Sequence, residues 1–196
     1  MKKKLTILIL SFNGIEVLKN CLESIPHHQD WQITIVDNGS TDGTIEFLKK
    51  NFPKVLLIEN NKNLGFAAGN NIALKQITTE YTLLLNPDTI VHTGSIETVL
   101  DYMEKNPSVG AATCRVELPN GDLDYSCHRG FPNPINSLLY FIGLKKISTY
   151  SSKKIPNNIH EIDALTGAFA LIKTEAGKQV GWFDEDYFWN GEDIDL

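Results

Sequence analysis

The residues that most constrain this chain are Ile33-Thr-Ile-Val36 and the turn they enter, Asp37-Asn-Gly-Ser-Thr-Asp-Gly-Thr44. A β-branched run bounded by turn formers reads as a buried strand of a parallel sheet, and helix-like sequence follows it. In an open α/β sheet, ligands sit beyond the carboxyl ends of the strands. Asp37 and Asn38 stand at that end. A carboxylate there can accept a hydrogen bond from an imide N–H, such as N3 of uracil or thymine. Asp42 and Thr44 suit the start of the next helix, where short polar side chains satisfy orphan N–H groups. A second reading stays open, because Asp, Asn, Gly and Ser also favour turns for local reasons alone.

The rest of the chain repeats this strand–turn–helix pattern. Thr6–Leu10 reads as a first strand, Ser11-Phe12-Asn13-Gly14 as the loop that leaves it, and Ile15–Ile25 as a helix with Leu18, Cys21, Leu22 and Ile25 on one face. A short helix near Ile45–Asn51, a strand over Val55–Ile58 and a glycine-punctuated helix entry, Asn60-Asn-Lys-Asn-Leu-Gly-Phe-Ala-Ala-Gly-Asn-Asn71, come next. Gly65 and Gly69 leave room for close backbone approach, and a helix starting there turns N–H groups that favour anions toward the crevice. Tyr81–Leu85 is a fourth strand running into Asn86-Pro87-Asp88. Asp88 sits where a strand releases its last side chain, a natural place to bridge a divalent cation and a diphosphate.

Ile96–Met103 reads as a helix and Val109–Val116 as a strand, with a hairpin at Pro119-Asn120-Gly121-Asp122. His128 and Arg129 form either a cationic pair for a diphosphate or a solvated loop. Phe131–Pro156 shows no clean period and is expected to be a mobile excursion, with Lys145, Lys146, Lys153 and Lys154 on a wet face. Ile162–Lys173 returns to strand sequence, with small Gly167 and Ala168 beside the space for a substrate, and Thr174–Val180 suggests a short helix. Trp182, Phe183, Tyr187, Phe188 and Trp189 form an aromatic cluster suited to a sugar ring, or to packing under the sheet edge.

Composition narrows the field. The 196 residues, 42% hydrophobic and 21% charged, fit one globular α/β domain with a real core. A net charge of −6 argues against nucleic acid as a partner. Three scattered cysteines fit neither a disulfide framework nor a zinc spacing and point to a reducing compartment. Met1-Lys-Lys-Lys4 before a short apolar run lacks a cleavage site and reads as a basic tail before the first strand.

Four of these segments, in this order, resemble the inverting family 2 glycosyltransferases, in the rhamnosyltransferase-like branch: Val-Asp-Asn-Gly-Ser-Thr-Asp-Gly-Thr44, Asn-x-Gly-Phe-Ala-x-Gly-x-Asn71, Asn86-Pro-Asp88, and Gly181-Trp-Phe-Asp-Glu-Asp-Tyr-Phe188 leading to Glu192-Asp193. The resemblance implies a GT-A-like fold, with a mostly parallel central sheet flanked by helices and a small antiparallel hairpin. It implies a nucleotide-binding half over 1–90 and an acceptor and catalytic half over 91–196. Donor binding would fall to Ser11, Asn13, Asp37, Asn38, Gly65, Phe66, Gly69, Asn86 and Asp88, with Mg²⁺ or Mn²⁺ on Asp88. Asn86 replaces the first acid of the family's Asp-x-Asp motif, so Asp88 is its one anionic group. Gly167, Ala168 and Trp189 would lie near acceptor and sugar. Asp193 would be the base, with Glu192 or Asp195 orienting groups; an aspartate is ionised at neutral pH. A carboxylate cluster favoured at a helix N-terminus is the plainer alternative for these residues.

The implied activity is transfer of a sugar from a UDP or dTDP donor, with inversion, to a glycan or lipid-linked acceptor in cell-surface polysaccharide synthesis. The expected setting is the cytoplasm, at the inner face of the membrane if the protein associates with it peripherally. Rival readings are a sugar-nucleotide pyrophosphorylase, whose phosphate loop Ser11-Phe12-Asn13-Gly14 lacks, and a non-catalytic nucleotide-sugar or glycan-binding domain. Leu196 falls within the first turn of the last helix, and family members generally continue further. The chain is therefore expected to be a truncated form in which Asp193 is poorly ordered or displaced and transfer is low or absent even where nucleotide binding is intact.

Overall fold

The structure, a computed structural model, describes residues 3–128, 130–131, 133–143, 155–188 and 191–196. In chain order the elements are β1 (Leu5–Ser11), α1 (Ile15–Ser24), β2 (Trp31–Asp37), α2 (Thr44–Asn51), β3 (Leu56–Glu59), α3 (Phe66–Leu74), β4 (Tyr81–Leu85), α4 (Ser95–Lys105), β5 (Ala111–Ala112), α5 (Pro134–Phe141), β6 (Phe169–Lys173), α6 (Thr174–Val180) and α7 (Glu192–Asp195). The strands form one six-stranded sheet in the order β3-β2-β1-β4-β6-β5. β1 pairs in parallel with both β2 and β4, and β2 with β3. β6 runs antiparallel to β4 and to β5. The expected α/β architecture with a mostly parallel sheet is the one observed.

The two faces of the sheet explain its near-continuous apolar strands. Leu5, Ile7, Ile9, Ile35, Leu83 and Leu171 pack under α1, α2 and α4. Leu8, Val36, Leu84, Ala170 and Ile172 pack under α3 and against Trp182 and Phe183. Strands buried on both faces cannot alternate apolar with polar residues. Each fully buried Leu or Ile contributes about 1.5–3 kcal/mol by leaving water. No helix among the described residues is long and apolar enough to cross a membrane.

Two expectations need correction. The strand read over Val109–Val116 pairs only at Ala111 and Ala112. The Thr113 hydroxyl donates to the Phe169 carbonyl at 2.6 Å and so occupies an acceptor the ladder would have used. Phe131–Pro156 is not wholly irregular, since α5 begins at Pro134, whose fixed φ and missing N–H suit a first helical turn. Arg129, Lys145, Lys146, Lys153 and Lys154 lie outside the described residues. The hairpin forms through a single antiparallel bridge, Glu117 to Leu123, around Gly121 at φ +84°.

Candidate functional site

β1 and β2 end together, with Ser11 in register with Asp37. Both side chains are fully buried. Asp37 Oδ1 accepts the N–H groups of Gly39 (3.1 Å) and Ser40 (2.9 Å), which tightens the turn. Asp37 Oδ2 and Ser11 Oγ are buried with no partner among the described residues. Buried polar atoms left this way cost about 1–3 kcal/mol each. Two of them side by side at the carboxyl edge of the sheet mark a place where an outside donor or acceptor is wanted.

The loops around that edge are stitched together by the residues that sequence singled out. Asn13, in left-handed backbone at φ +58°, accepts the Thr41 N–H at 2.9 Å, and its own N–H donates to Ser40 Oγ at 2.8 Å. Asp42 Oδ2 takes the Gly14 N–H at 2.7 Å, and its Oδ1 takes the N–H of Thr44 at 3.1 Å. Burial raises the Asp42 pKa, but the Thr44 hydroxyl and the N–H groups of Gly14, Thr44 and Ile15 outweigh this and hold it below its ordinary value. Asn38 sends Nδ2 to Asn63 Oδ1 (2.9 Å) and the Gly65 carbonyl (3.1 Å), while its Oδ1 receives Leu64 N–H and Asn60 Nδ2. Its amide therefore shapes the loop before α3.

α3 is the joint of the site. Gly65, at φ +82°, leaves space that the chain itself fills: an added Cβ would lie 2.4 Å from the Phe188 carbonyl oxygen. That carbonyl accepts the Phe66 N–H at 3.0 Å, so the first turn of α3 receives the chain's own oxygen. Gly69 meets Leu10 and Asn38 in the same way. The Phe66 ring packs edge-on against Phe183, 5.5 Å between centroids, and touches Gly167. Asn71 grips the Phe183 backbone at both ends, Nδ2 to its carbonyl at 2.8 Å and Oδ1 from its N–H at 3.3 Å. Sequence reading gives Asn71 no role of its own and Phe188 only a ring; the second Asn of Gly69-Asn-Asn71 is the available signal.

Asn86-Pro87-Asp88 leaves β4 beside the entry to β6. Asn86 N–H (3.3 Å) and the Thr89 hydroxyl (3.3 Å) both donate to the Ala168 carbonyl. The next residue back, Gly167, donates its N–H to Asp193 Oδ2 at 3.4 Å. The Asp88 turn and Asp193 are thus tied to adjacent residues of one strap. From below, the Cys21 thiol of α1 donates to the Asn86 carbonyl at 3.6 Å. Burial pushes this thiol up to about 12, and the Asp88 carboxylate adds to the shift. Asp88 itself is exposed and Glu192 is buried. Trp189 lies outside the described residues. Among those described, no three His, Cys, Asp or Glu side chains form a metal cluster. A cleft of about 700 Å³ opens at the opposite, amino end of the sheet, lined by Lys4, Thr79, Glu80, Thr174 and Lys178. It contains none of the candidate residues.

The fold is that of the GT-A glycosyltransferases. S. aureus TarS 1–349 in complex with UDP superposes with a TM-score of 0.67 at 20% identity, over 97% of this chain and 53% of that one. The mannosyltransferase PcManGT from Pyrobaculum calidifontis, in complex with GDP-Man and Mn²⁺, gives 0.66 at 19% identity, over 100% and 50%. Within that class, the chain belongs to glycosyl transferase family 2, whose model matches residues 6–176. It is 28% identical over 181 residues to the N-acetylglucosaminyl-diphospho-decaprenol L-rhamnosyltransferase of Mycobacterium tuberculosis, covering 84% of this chain and 59% of that protein. It is 26% identical over 192 residues to the poly-β-1,6-N-acetyl-D-glucosamine synthase of Staphylococcus epidermidis, covering 93% and 42%. The chain therefore spans about half the length of these curated relatives.

Proposed function

We propose that the chain carries the donor site and catalytic base of an inverting glycosyltransferase. Its donor is a UDP- or dTDP-sugar, and its acceptor a glycan or lipid-linked saccharide of cell-surface polysaccharide synthesis. The observation that carries the reading is the strap: the turn that carries Asp88, through Asn86 and Thr89, and Asp193 are held by the adjacent residues Ala168 and Gly167. The names of the relatives and the UDP and GDP-Man complexes of the neighbours support the same class.

In this reading Asp37 Oδ2 receives the imide N–H of the base, with Ser11 Oγ beside it, while Asn13, Asn38, Gly65, Phe66 and Gly69 shape the donor loops. Asp193 takes the proton of the acceptor hydroxyl. The freed oxygen bonds to the anomeric carbon from the face opposite the diphosphate, and the C–O bond to the diphosphate breaks with its electron pair leaving on that group. Glu192 and Gly167 orient Asp193; Ala168 positions the Asp88 turn, with Asn86 at its start. An exposed lone carboxylate fits a cation such as Mg²⁺ or Mn²⁺ held largely by diphosphate oxygens, which typically takes one or two protein carboxylates. Asp88 would hold it, and the bound cation would supply charge neutralisation to the leaving group. An acceptor on a lipid carrier places the work at the inner face of a membrane.

Titration calorimetry with UDP and dTDP tests the donor half. Affinity should drop in EDTA for the native chain and be low with or without cation in Asp88→Ala. Insensitivity of the native chain to EDTA removes the cation role. Asp193→Asn should keep nucleotide binding and lose transfer; transfer that survives in this variant rules Asp193 out as the base. Nucleotide binding with no turnover in the native chain and in a longer form alike would favour a binding module.

A further inference from the structure

Asp88 is exposed, yet the backbone on either side of it is fastened. Thr89 N–H closes the turn onto the Asn86 carbonyl at 3.2 Å, and the Ala168 carbonyl holds Asn86 and Thr89 from the β6 side. The other side belongs to the last turn of α1. There Ile25 N–H reaches the Leu22 carbonyl, and the Ser24 hydroxyl donates to the Cys21 carbonyl at 2.6 Å. The same Ser24 oxygen accepts the Val91 N–H at 2.9 Å. A hydroxyl has a single proton to give, and Cys21 takes it, so Val91 meets a lone pair. The Cys21 thiol donates in turn to the Asn86 carbonyl. The end of α1 thus grips the segment 86–91 at its first and last residues. The Val91 side chain is buried in the core cluster that also holds Leu18, Cys21 and Leu22.

None of these bonds involves the Asp88 carboxylate; they set where its backbone lies. A cation that takes one carboxylate from this turn has no second acid there to make up for a misplaced first one, because Asn86 carries no charge. Groups that orient a metal ligand without touching the ion matter to affinity nearly as much as the ligand does. We propose that Ser24, supported by Cys21, is a positioning residue for the cation and the donor diphosphate, acting through Val91 and Asn86 on the place of Asp88. The inference rests on the reading of Asp88 as the cation's carboxylate.

The full chain with saturating UDP is titrated with Mn²⁺ by calorimetry, and UDP is titrated separately in EDTA. Ser24→Ala should weaken Mn²⁺ binding by about ten-fold or more. It should leave UDP affinity in EDTA at the native value, because the Asp37 edge is untouched. Ser24→Thr keeps the hydroxyl and should restore Mn²⁺ affinity. Native Mn²⁺ affinity in Ser24→Ala overturns the proposal. So does an equal loss of UDP affinity in EDTA, which would mean that the fold has merely loosened, or a Ser24→Thr variant as weak as Ser24→Ala. Asp88→Ala separates the inference from its premise. If Asp88→Ala loses Mn²⁺ while Ser24→Ala binds it as the native chain does, only the positioning role is wrong. If Asp88→Ala binds Mn²⁺ like the native chain, the cation role of Asp88 falls and the positioning role falls with it.

Discussion

Ser11 and Asp37 pull apart two quantities that usually move together. The Ser11 hydroxyl has no partner among the described residues, so Ser11→Ala should leave the melting temperature level or raise it. If the hydroxyl faces the donor, the same variant lowers nucleotide affinity. Asp37→Asn should weaken UDP or dTDP binding by about 1–3 kcal/mol in calorimetry, the usual cost of an unsatisfied polar partner. Unchanged affinity in both variants would put the base elsewhere. Cys21 is a second residue with a readable signature. Its folded value of about 12 lies above the ordinary 9.0, so the fold favours the neutral thiol. The stability this contributes is full below pH 9 and drains away as pH rises from there toward 12. Iodoacetamide at about pH 8, near the ordinary thiol range, should therefore alkylate Cys21 slowly in the native chain and readily in denaturant; equal rates would contradict a buried, neutral thiol.

At the scale of elements, α3 holds the two ends of the chain together. Asn71→Ala leaves the Phe183 N–H and carbonyl without their partner and should cost about 1–3 kcal/mol, seen as a lower melting temperature. Glu185, which bonds Lys75 at 2.8 Å and Asn71 at 3.0 Å, is held below its ordinary 4.5 by the Lys75 and Asn71 bonds in turn. A depressed folded value means that this contribution is present above pH 4.5 and lost as pH falls through the folded value. The pair is solvent-exposed, so salt should erase its small share while leaving the Asn71 grip intact. β1, β2 and β4 were legible in sequence because strands buried on both faces read as unbroken apolar runs. α5 was not, since none of its described side chains is fully buried and its sequence shows no clean core period. The length of β5 was hidden for another reason, as a Thr113 hydroxyl choosing a carbonyl 56 residues away leaves no local trace. For the same reason Asn38 and Cys21 were identifiable as residues but not by their partners. The roles proposed for Asp88 and Asp193 come from motif resemblance, and the strap is what relates their segments in space.

Across the whole molecule, the sheet transmits any loss in its centre to the strap. Leu83 is fully buried in the core beneath α1 and α4 and in register with Leu171 of β6. Leu83→Ala should cost about 2–5 kcal/mol, and by loosening β4 against β6 it should lower the melting temperature and transfer together. The pairing of β4 with β6 has a further consequence, during synthesis. β1 to β4 assemble from neighbouring crossovers, yet the outer edge of β4 waits for Phe169–Lys173, and β5, made earlier, has no place until β6 arrives. An unpaired, apolar strand edge is a template for pairing with other chains. At ordinary rates of chain elongation, the span from Tyr81–Leu85 to Phe169–Lys173 keeps that edge open for on the order of ten seconds on the ribosome. The nascent chain is therefore most prone to aggregate after β1 to β4 have formed and before its sixth strand emerges.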